Sequence, residues 1–274
     1  MRWWCSGQVA VPWDWAPQPY LGVWLVMIGL AGAYVVAIRR WERDPNGAHR
    51  TRGQVAAAVT GWLVLWVATD WPVGKLAAGY LLAASMVQII LYTYVVAPLF
   101  VYALPRPLRE AWLARSHMRC VRAVVQRPLA AFGLLNLSLI VTHVPAVTDT
   151  LKALQAGTMA MDAAWLVSAF LFWWALDVSR EESPSVRFGK RILYLVGSRV
   201  VPTLLGALLT FHNFPLYETY EFTNRVWPEF TALDDQQAAG LLMWMGMTPL
   251  LLLRQGITFH DWYSAEEAEG TIER

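Results

Sequence analysis

The sequence predicts an all-α, polytopic membrane protein with seven transmembrane helices, its N-terminus outside and its C-terminus inside. Composition is the first of three observations behind this prediction. Of the 274 residues, 57% are apolar and 15% are charged, whereas soluble domains carry roughly 25% charged residues. The chain also contains 16 Trp, 10 Tyr and 10 Phe residues, and aromatic rings concentrate at the two interfaces of a membrane.

The second observation is a series of seven apolar stretches, each close to the roughly 20 residues that a helix needs to cross a bilayer. The stretches are Tyr20–Ile38, Val55–Trp71, Leu76–Leu104, Leu129–Val144, Met159–Leu176, Ile192–Phe211 and Ala238–Leu253. We interpret residues 1–274 as a single transmembrane domain with an outer N-terminal segment (1–19), a seven-helix bundle (20–253) and a cytoplasmic tail (254–274). Small residues within the stretches are expected to allow close helix packing; they are Gly29, Gly32, Gly206 and Ala207.

The third observation is the distribution of Lys and Arg between the segments that flank these stretches. From the N-terminus onward, the eight flanking segments contain 1, 5, 1, 6, 1, 4, 1 and 2 basic residues. Because basic residues accumulate on the cytoplasmic side, this alternation predicts the orientation given above. It also separates Cys5, outside, from Cys120, in the third loop inside, so we expect neither a disulfide nor a thiolate metal site.

Several short stretches carry a resemblance to a known family. They are Trp13–Pro17, Thr142–Pro145, Leu171–Trp174, Pro202–Ala207, Pro215–Tyr217 and Leu233–Trp244. In this order, over nearly the whole chain, they resemble the multi-spanning bacterial CtaG-like cytochrome c oxidase assembly factors, which are seven-span proteins. The last stretch, Leu-Asp-Asp-Gln-Gln-Ala-Ala-Gly-Leu-Leu-Met-Trp, is the most specific. The resemblance implies a place in the cytoplasmic membrane of a bacterium.

The sequence departs from this family at two histidine motifs. Where the family has His-Met-x-Gln-His in the third span, residues 85–89 read Ser-Met-Val-Gln-Ile. Where the family has His-x-x-x-His at the start of the fifth span, residues 158–162 read Thr-Met-Ala-Met-Asp. Two imidazoles at positions i and i+4 share one helix face and can hold one transition-metal ion. Because all four histidines are replaced, we expect no copper delivery by these imidazole positions.

His143, at the end of the fourth span, is the histidine that remains among the family's ligand positions. It is either a structural residue that is hydrogen-bonded to nearby backbone or a single residual ligand for a metal or a haem edge. Thioether sulfur binds Cu(I), so Met86, Met159 and Met161 are candidate metal ligands together with His143. Methionine also fills apolar cores, so copper stays an alternative and no cofactor is firmly predicted.

Four consecutive polar residues precede the seventh span: Asp234, Asp235, Gln236 and Gln237. Such residues satisfy the free N–H groups of a helix N-terminus and meet the positive end of its dipole, so we expect them to cap the last span. They also lie beside an acidic and aromatic loop, His212–Thr231, which is a candidate surface for docking a partner.

Three charged residues lie within or at the ends of the spans and are candidates for structural or partner-binding roles. Arg199 falls inside the sixth span, where a charge is costly unless it is paired. Asp177, at the cytoplasmic end of the fifth span, is a candidate partner for Arg199, while snorkelling of Arg199 to the interface is the alternative. Asp162 lies in the outer half of the fifth span.

By the resemblance, the leading functional prediction is a non-catalytic helper of cytochrome c oxidase assembly that binds or stabilises an oxidase core subunit near its copper site. One alternative is a stable accessory subunit of a respiratory or photosynthetic membrane complex that reuses the scaffold without the metal site. Another is a membrane copper-binding protein that uses Met and His143. The sequence contains no catalytic motif of the common enzyme classes and no nucleic-acid-binding pattern, so the expected partners are lipid and membrane-complex subunits.

Overall fold

The computed structural model describes residues 2–7, 11–44, 47, 49–178 and 184–272, and gives the backbone alone for residues 178, 184–187, 261, 265–266 and 268–272. Within these residues the secondary structure is helical and contains no β-strand. Arg180 and Arg274, which belong to the count of basic residues, lie outside the described part of the chain. The prediction of an all-α fold is confirmed.

The described residues form fifteen α-helices: α1 Leu21–Glu42, α2 Arg52–Thr69, α3 Val73–Gly79, α4 Leu82–Ile90, α5 Ala97–Ala103, α6 Arg106–Leu113, α7 Arg119–Val125, α8 Pro128–Thr142, α9 Pro145–Lys152, α10 Gln155–Val178, α11 Pro184–Gly197, α12 Val200–Phe211, α13 Glu218–Glu221, α14 Ala232–Leu241 and α15 Thr248–Ile272. Two π-helical segments, Leu91–Val96 and Leu242–Gly246, join α4 to α5 and α14 to the start of α15. A 3₁₀ turn, Ser116–Met118, precedes α7.

Five helical stretches in the described residues are long and apolar enough to cross a membrane: Leu21–Glu42, Arg52–Gly79, Leu82–Ala103, Gln155–Asp177 and Phe188–Phe211. A sixth candidate is the pair Ser116–Val125 and Pro128–Thr142, which is bent by 84°. The chain is therefore a polytopic membrane protein. The seventh predicted stretch is divided among α14, the second π-helical segment and the start of α15, and it is not among these candidates.

Two predicted spans have boundaries that the sequence did not indicate. The stretch Leu76–Leu104 is broken after α3, and its main helix begins only at Leu82. The carboxylate of Asp235 accepts the N–H groups of Leu82 at 2.7 Å and Ala83 at 2.9 Å, which satisfies free donors at the start of α4. The stretch Ile192–Phe211 is interrupted at Ser198 and Arg199, between α11 and α12.

Hydrogen bonds join four segments at one end of the bundle, named here the N-terminal face: residues 2–7, 70–81, 143–154 and 212–231. The N–H group of Gly7 donates to the carbonyl of Lys152 at 2.8 Å, and the Tyr220 hydroxyl donates to the carbonyl of Ala77 at 2.6 Å. The opposite end, named the arginine face, consists of α6, α7, the end of α10 and the first turns of α15. There Arg122 donates to the carbonyl of Leu113 at 3.3 Å.

Glycine residues allow α12 and α14 to cross closely. A Cβ atom at Gly240 would lie 2.3 Å from the Thr210 hydroxyl and 2.6 Å from the Gly206 carbonyl, so no larger residue fits without displacing the helices. The packing role predicted for Gly206 is confirmed. For Gly29 and Gly32 the prediction is wrong, because a Cβ atom at either position would meet no described atom within 4 Å. Both lie on an open side of α1, whose buried residues are Val23 and Ile38.

Candidate functional site

A buried lysine lies at the centre of the N-terminal face. Lys152 ends α9 and is only 1% exposed. Its ammonium group donates to the carbonyl of Ala77 at 2.7 Å and to the Ser85 hydroxyl at 3.3 Å. It also lies 5.6 Å from the ring centre of Tyr220 and 6.0 Å from that of Trp165, within the range of cation–π attraction. A charge with these contacts is held in one position.

Asp162 supplies the opposite charge. Its Oδ2 atom accepts the indole N–H of Trp4 at 2.9 Å, while its buried Oδ1 atom has no hydrogen-bond partner among the described residues. Burial lowers the pKa of Lys152, and the attraction of the Asp162 carboxylate opposes this effect. Each charge thus offsets part of the desolvation cost of the other. We name Lys152, Asp162, Ser85 and His143 the Lys152 cluster.

The N-terminal segment closes over the Lys152 cluster. Besides the indole of Trp4, the backbone N–H groups of Trp3 and Trp4 donate to the side-chain oxygen of Gln155 at 2.7 and 3.1 Å. The Cys5 thiol is 2% exposed and donates to the carbonyl of Thr69 at 3.5 Å. Burial raises the pKa of this thiol, so the thiol is kept neutral and away from solvent.

His143 is fixed by its backbone surroundings. Its Nδ1 atom lies 2.7 Å from the carbonyl of Leu139, and its own carbonyl accepts the Tyr217 hydroxyl at 3.0 Å. The first contact is the backbone hydrogen bond that the structural interpretation predicts. Within the described part of the chain, the buried Nε2 atom has no hydrogen-bond partner.

The candidate metal ligands are only partly brought together. Met86, Met161 and His143 line one cavity beside Lys152, whereas Met159 packs against the apolar group formed by Trp4, Cys5 and their neighbours. The cavity holds about 10 Å³, which is the lower limit for a single water molecule.

These side chains do not fit a copper ion. The ammonium group of Lys152 lines the same cavity as His143, Met86 and Met161, where it would repel a cation. The position of the family's first histidine holds Ser85, and that side chain accepts a hydrogen bond from Lys152. No group of three or more His, Cys, Asp or Glu side chains that could hold a metal occurs in the described residues.

The polar residues before the last span cap two different helices. Thr231 is the N-cap of α14 and forms a reciprocal capping pair with Asp234. Asp235, as described above, caps α4 instead, and its side chain is fully buried. Gln236 accepts the N–H of Leu216 at 2.7 Å, which fixes the loop before α13, and Gln237 is partly buried on the second turn of α14.

Arg199 and Asp177 do not form the pair that the sequence suggested. Asp177 accepts a hydrogen bond from the buried guanidinium of Arg109 at 2.6 Å. Arg199 donates to the Thr248 hydroxyl at 2.7 Å and to the carbonyl of Trp244. Trp244 lies in a π-helical segment, where the helical hydrogen-bonding register is interrupted. Arg199 therefore connects the break between α11 and α12 to this segment.

Lys152 was not among the predicted site residues. In the sequence it was only one of the counted basic residues, the single one in the fourth loop. Its hydrogen-bond partners Ser85 and Ala77 lie 67 and 75 residues away, so no local pattern indicated that its side chain turns inward. The same holds for Arg109, which lies 68 residues from Asp177 and was counted as a loop residue.

Comparison with known proteins identifies the family. No curated protein and no solved structure matches the chain. The model of one family, described as cytochrome c oxidase caa3 assembly factor (Caa3_CtaG), matches residues 32–265, which include the second half of α1, all of α2 to α14 and most of α15. The resemblance carried by the sequence motifs is confirmed. The chain belongs to the cytochrome c oxidase caa3 assembly factor family.

Proposed function

We propose that this chain assists the assembly of a cytochrome c oxidase by binding and stabilising an oxidase core subunit within the membrane. The family match over residues 32–265 is the observation that carries this proposal. By analogy with the family, the halves of α4, α8 and α10 at the N-terminal face lie toward the site where copper enters the oxidase. The chain itself catalyses no reaction in this proposal.

The proposed topology has seven crossings, with the N-terminal face outside the cytoplasmic membrane of a bacterium and the arginine face inside. The separation of basic residues supports it. Lys75, Lys152 and Arg225 belong to the N-terminal face, whereas six arginines lie between Arg106 and Arg127. The seventh crossing is formed by α14, the second π-helical segment and the start of α15.

The proposed partner surface is the loop His212–Thr231 on the N-terminal face. Its side chains Phe214, Phe222 and Trp227 are 60%, 64% and 47% exposed. Its backbone is held in place, because Asp149 accepts the N–H groups at the start of α13 at 3.0 and 3.2 Å. Exposed aromatic side chains on a fixed backbone are typical of interface hot spots. The exposed carboxylate of Asp234 lies beside this loop and adds to its negative charge.

We propose that the Lys152 cluster replaces the metal-binding part of the family's site. The fixed ammonium group of Lys152, hydrogen-bonded to Ser85 and attracted by Asp162, provides positive charge without an exchangeable ion. A chain of this kind would hold its partner without carrying copper. The cluster also ties α4, α9 and α10 together beneath the partner surface.

Purification in a mild detergent, followed by mass spectrometry and metal analysis of the same sample, tests this function. We expect an oxidase core subunit at less than one copy per chain and no stoichiometric copper. Changing Phe222 and Trp227 to Ser should remove most of the co-purified subunit. The matched control is Tyr263→Ser on α15, where the side chain is 53% exposed but lies outside the partner surface.

Two outcomes of this experiment contradict the proposal. Recovery of other complex subunits at a fixed ratio through purification would instead identify the chain as a stable accessory subunit of a respiratory or photosynthetic complex. About one copper ion per chain, lost on changing His143 or Met86, would identify a membrane copper-binding protein.

A further inference from the structure

The arginine face contains an open cavity that the proposed function does not use. The cavity holds about 650 Å³, which is within the roughly 300–1,000 Å³ of small-molecule sites. Its walls come from the first π-helical segment, α5, the end of α10 and the first turns of α15. Most of the lining is apolar, with side chains such as Val101, Leu176 and Leu253. We name it the arginine cavity because three arginines also line it.

The charges in this lining are unbalanced. Arg106, Arg109 and Arg254 face the cavity together with one carboxylate, that of Asp177, so the charged lining residues sum to +2. A second cavity of about 330 Å³ shares Arg106, Arg109 and Asp177 with the first and adds Arg122 and Glu110. Glu110 pairs with Arg106 at 2.6 Å and Asp177 with Arg109 at 2.6 Å, so the excess positive charge of the first cavity comes from Arg254.

Two of these arginines have donors to spare. Arg109 is 7% exposed and uses one terminal nitrogen on Asp177, but its buried Nε atom has no hydrogen-bond partner in the described residues. Arg254 lies 5.9 Å from the ring centre of Trp173, and its Nε atom is likewise buried without a partner in the described structure. Because both guanidinium groups are charged and line the cavity, an anion in the cavity would be attracted to both side chains.

We propose that the arginine cavity binds one anionic phospholipid, with its phosphate on Arg109 and Arg254 and an acyl chain along the apolar lining. The lining fits a ligand that is apolar over most of its surface and negatively charged at one group. Anionic phospholipids of the surrounding membrane have both properties. Basic pockets between transmembrane helices on the cytoplasmic side are known to bind anionic head groups. The binding is independent of the proposed oxidase function.

Native mass spectrometry of the delipidated full chain tests this site. Titration with phosphatidylglycerol should add one lipid per chain, and zwitterionic phosphatidylethanolamine should bind at least fivefold more weakly. The Arg254→Gln variant should bind phosphatidylglycerol about fivefold more weakly than the unchanged chain. Arg115→Gln is the matched control, because Arg115 is exposed on the same face and does not line the cavity, and it should bind normally.

Equal phosphatidylglycerol binding by Arg254→Gln and the unchanged chain would overturn the proposal, as would displacement of the lipid by equimolar inorganic phosphate. If Arg254→Gln fails to fold, Leu253→Trp is the second variant. Leu253 is 64% exposed and lines the cavity, so a larger side chain can fill the space without removing an arginine. Undiminished lipid binding by the folded Leu253→Trp protein would also overturn the proposal.

Discussion

Lys152 and Asp162 are both buried at the N-terminal face, although a buried charge without compensation is strongly destabilising. The ammonium of Lys152 has two oxygen acceptors, and the carboxylate of Asp162 has the indole of Trp4. The two charges thus attract each other, and Asp162 also depends on the N-terminal segment for its hydrogen bond. The sequence indicated Asp162 as a polar residue within a span, but its counter-charge could not be assigned without the fold.

Because Lys152 and Asp162 attract each other, we expect that removing the charge of Asp162 restores stability that is lost when Lys152 is replaced. Lys152→Met should lower the free energy of unfolding by about 1–3 kcal/mol, because it leaves the acceptors at Ala77 and Ser85 without their donor and removes the attraction on Asp162. Adding Asp162→Asn should recover the electrostatic part of that loss. Unfolding in detergent measures both variants. Lys75→Met is the control, because Lys75 is a second buried lysine of the same face whose ammonium group contacts the Trp13 ring and the Asp14 carbonyl. An equal loss in the single and double variants would show that the two charges do not compensate each other.

The pairing of Arg109 with Asp177 predicts a specific energetic coupling. In a double-mutant cycle, Arg109→Gln and Asp177→Asn should couple by about 1–3 kcal/mol, because the two side chains share a hydrogen bond. Arg199→Gln and Asp177→Asn share no partner and should be additive within about 0.5 kcal/mol. The free energy of unfolding of each single and double variant gives both values. A larger coupling for Arg199 than for Arg109 would support the pairing that the sequence suggested.

At the scale of helices, the lengths of the apolar stretches predicted where the helices lie but not where they are interrupted. The stretches near α1, α2, α8 and α10 agree with the structure to within a few residues. At the break before α4, the Asp235 side chain of α14 caps the helix, and at the break before α12, Arg199 donates to Thr248 and to the carbonyl of Trp244. Hydropathy along the chain cannot reveal such contacts, because it records no tertiary neighbours.

The close crossing of α12 and α14 predicts a position-specific effect of one methyl group. Gly240→Ala should lower the free energy of unfolding by about 1–3 kcal/mol, because the added carbon overlaps the Gly206 carbonyl and the Thr210 hydroxyl. Gly29→Ala is the matched control in an open part of α1 and should leave stability unchanged or slightly raised. Thermal unfolding in detergent compares the two. Equal behaviour of both variants would mean that the crossing tolerates a larger residue.

At the scale of the whole molecule, the sequence predicted the membrane class, the family and the helical fold correctly. These depend on composition, on long apolar stretches and on motifs, all of which are properties of the chain itself. The candidate site was predicted less well. His143, Met86 and Met161 do line one cavity, but Lys152, which lines the same cavity, was missed because its role depends on distant partners.

The proposed topology predicts which face an impermeant thiol reagent reaches in intact cells. The buried Cys5 cannot report on it, because its thiol would be protected on either side of the membrane. In a Cys5→Ala background, a Glu229→Cys variant should react in intact cells, whereas the exposed Cys120 should react only after lysis. Reaction of Cys120 in intact cells would reverse the orientation and place the partner surface inside.

Removal of the gene from the organism that encodes the chain tests the role in oxidase assembly most directly. Assembled oxidase is measured by haem absorption and by oxygen consumption with reduced cytochrome c, with and without added copper salt. We expect a large loss of assembled oxidase that the intact gene restores and that copper does not, because in the proposed function the chain holds its partner without carrying copper. Full oxidase without the gene, or full recovery by copper alone, would contradict this role.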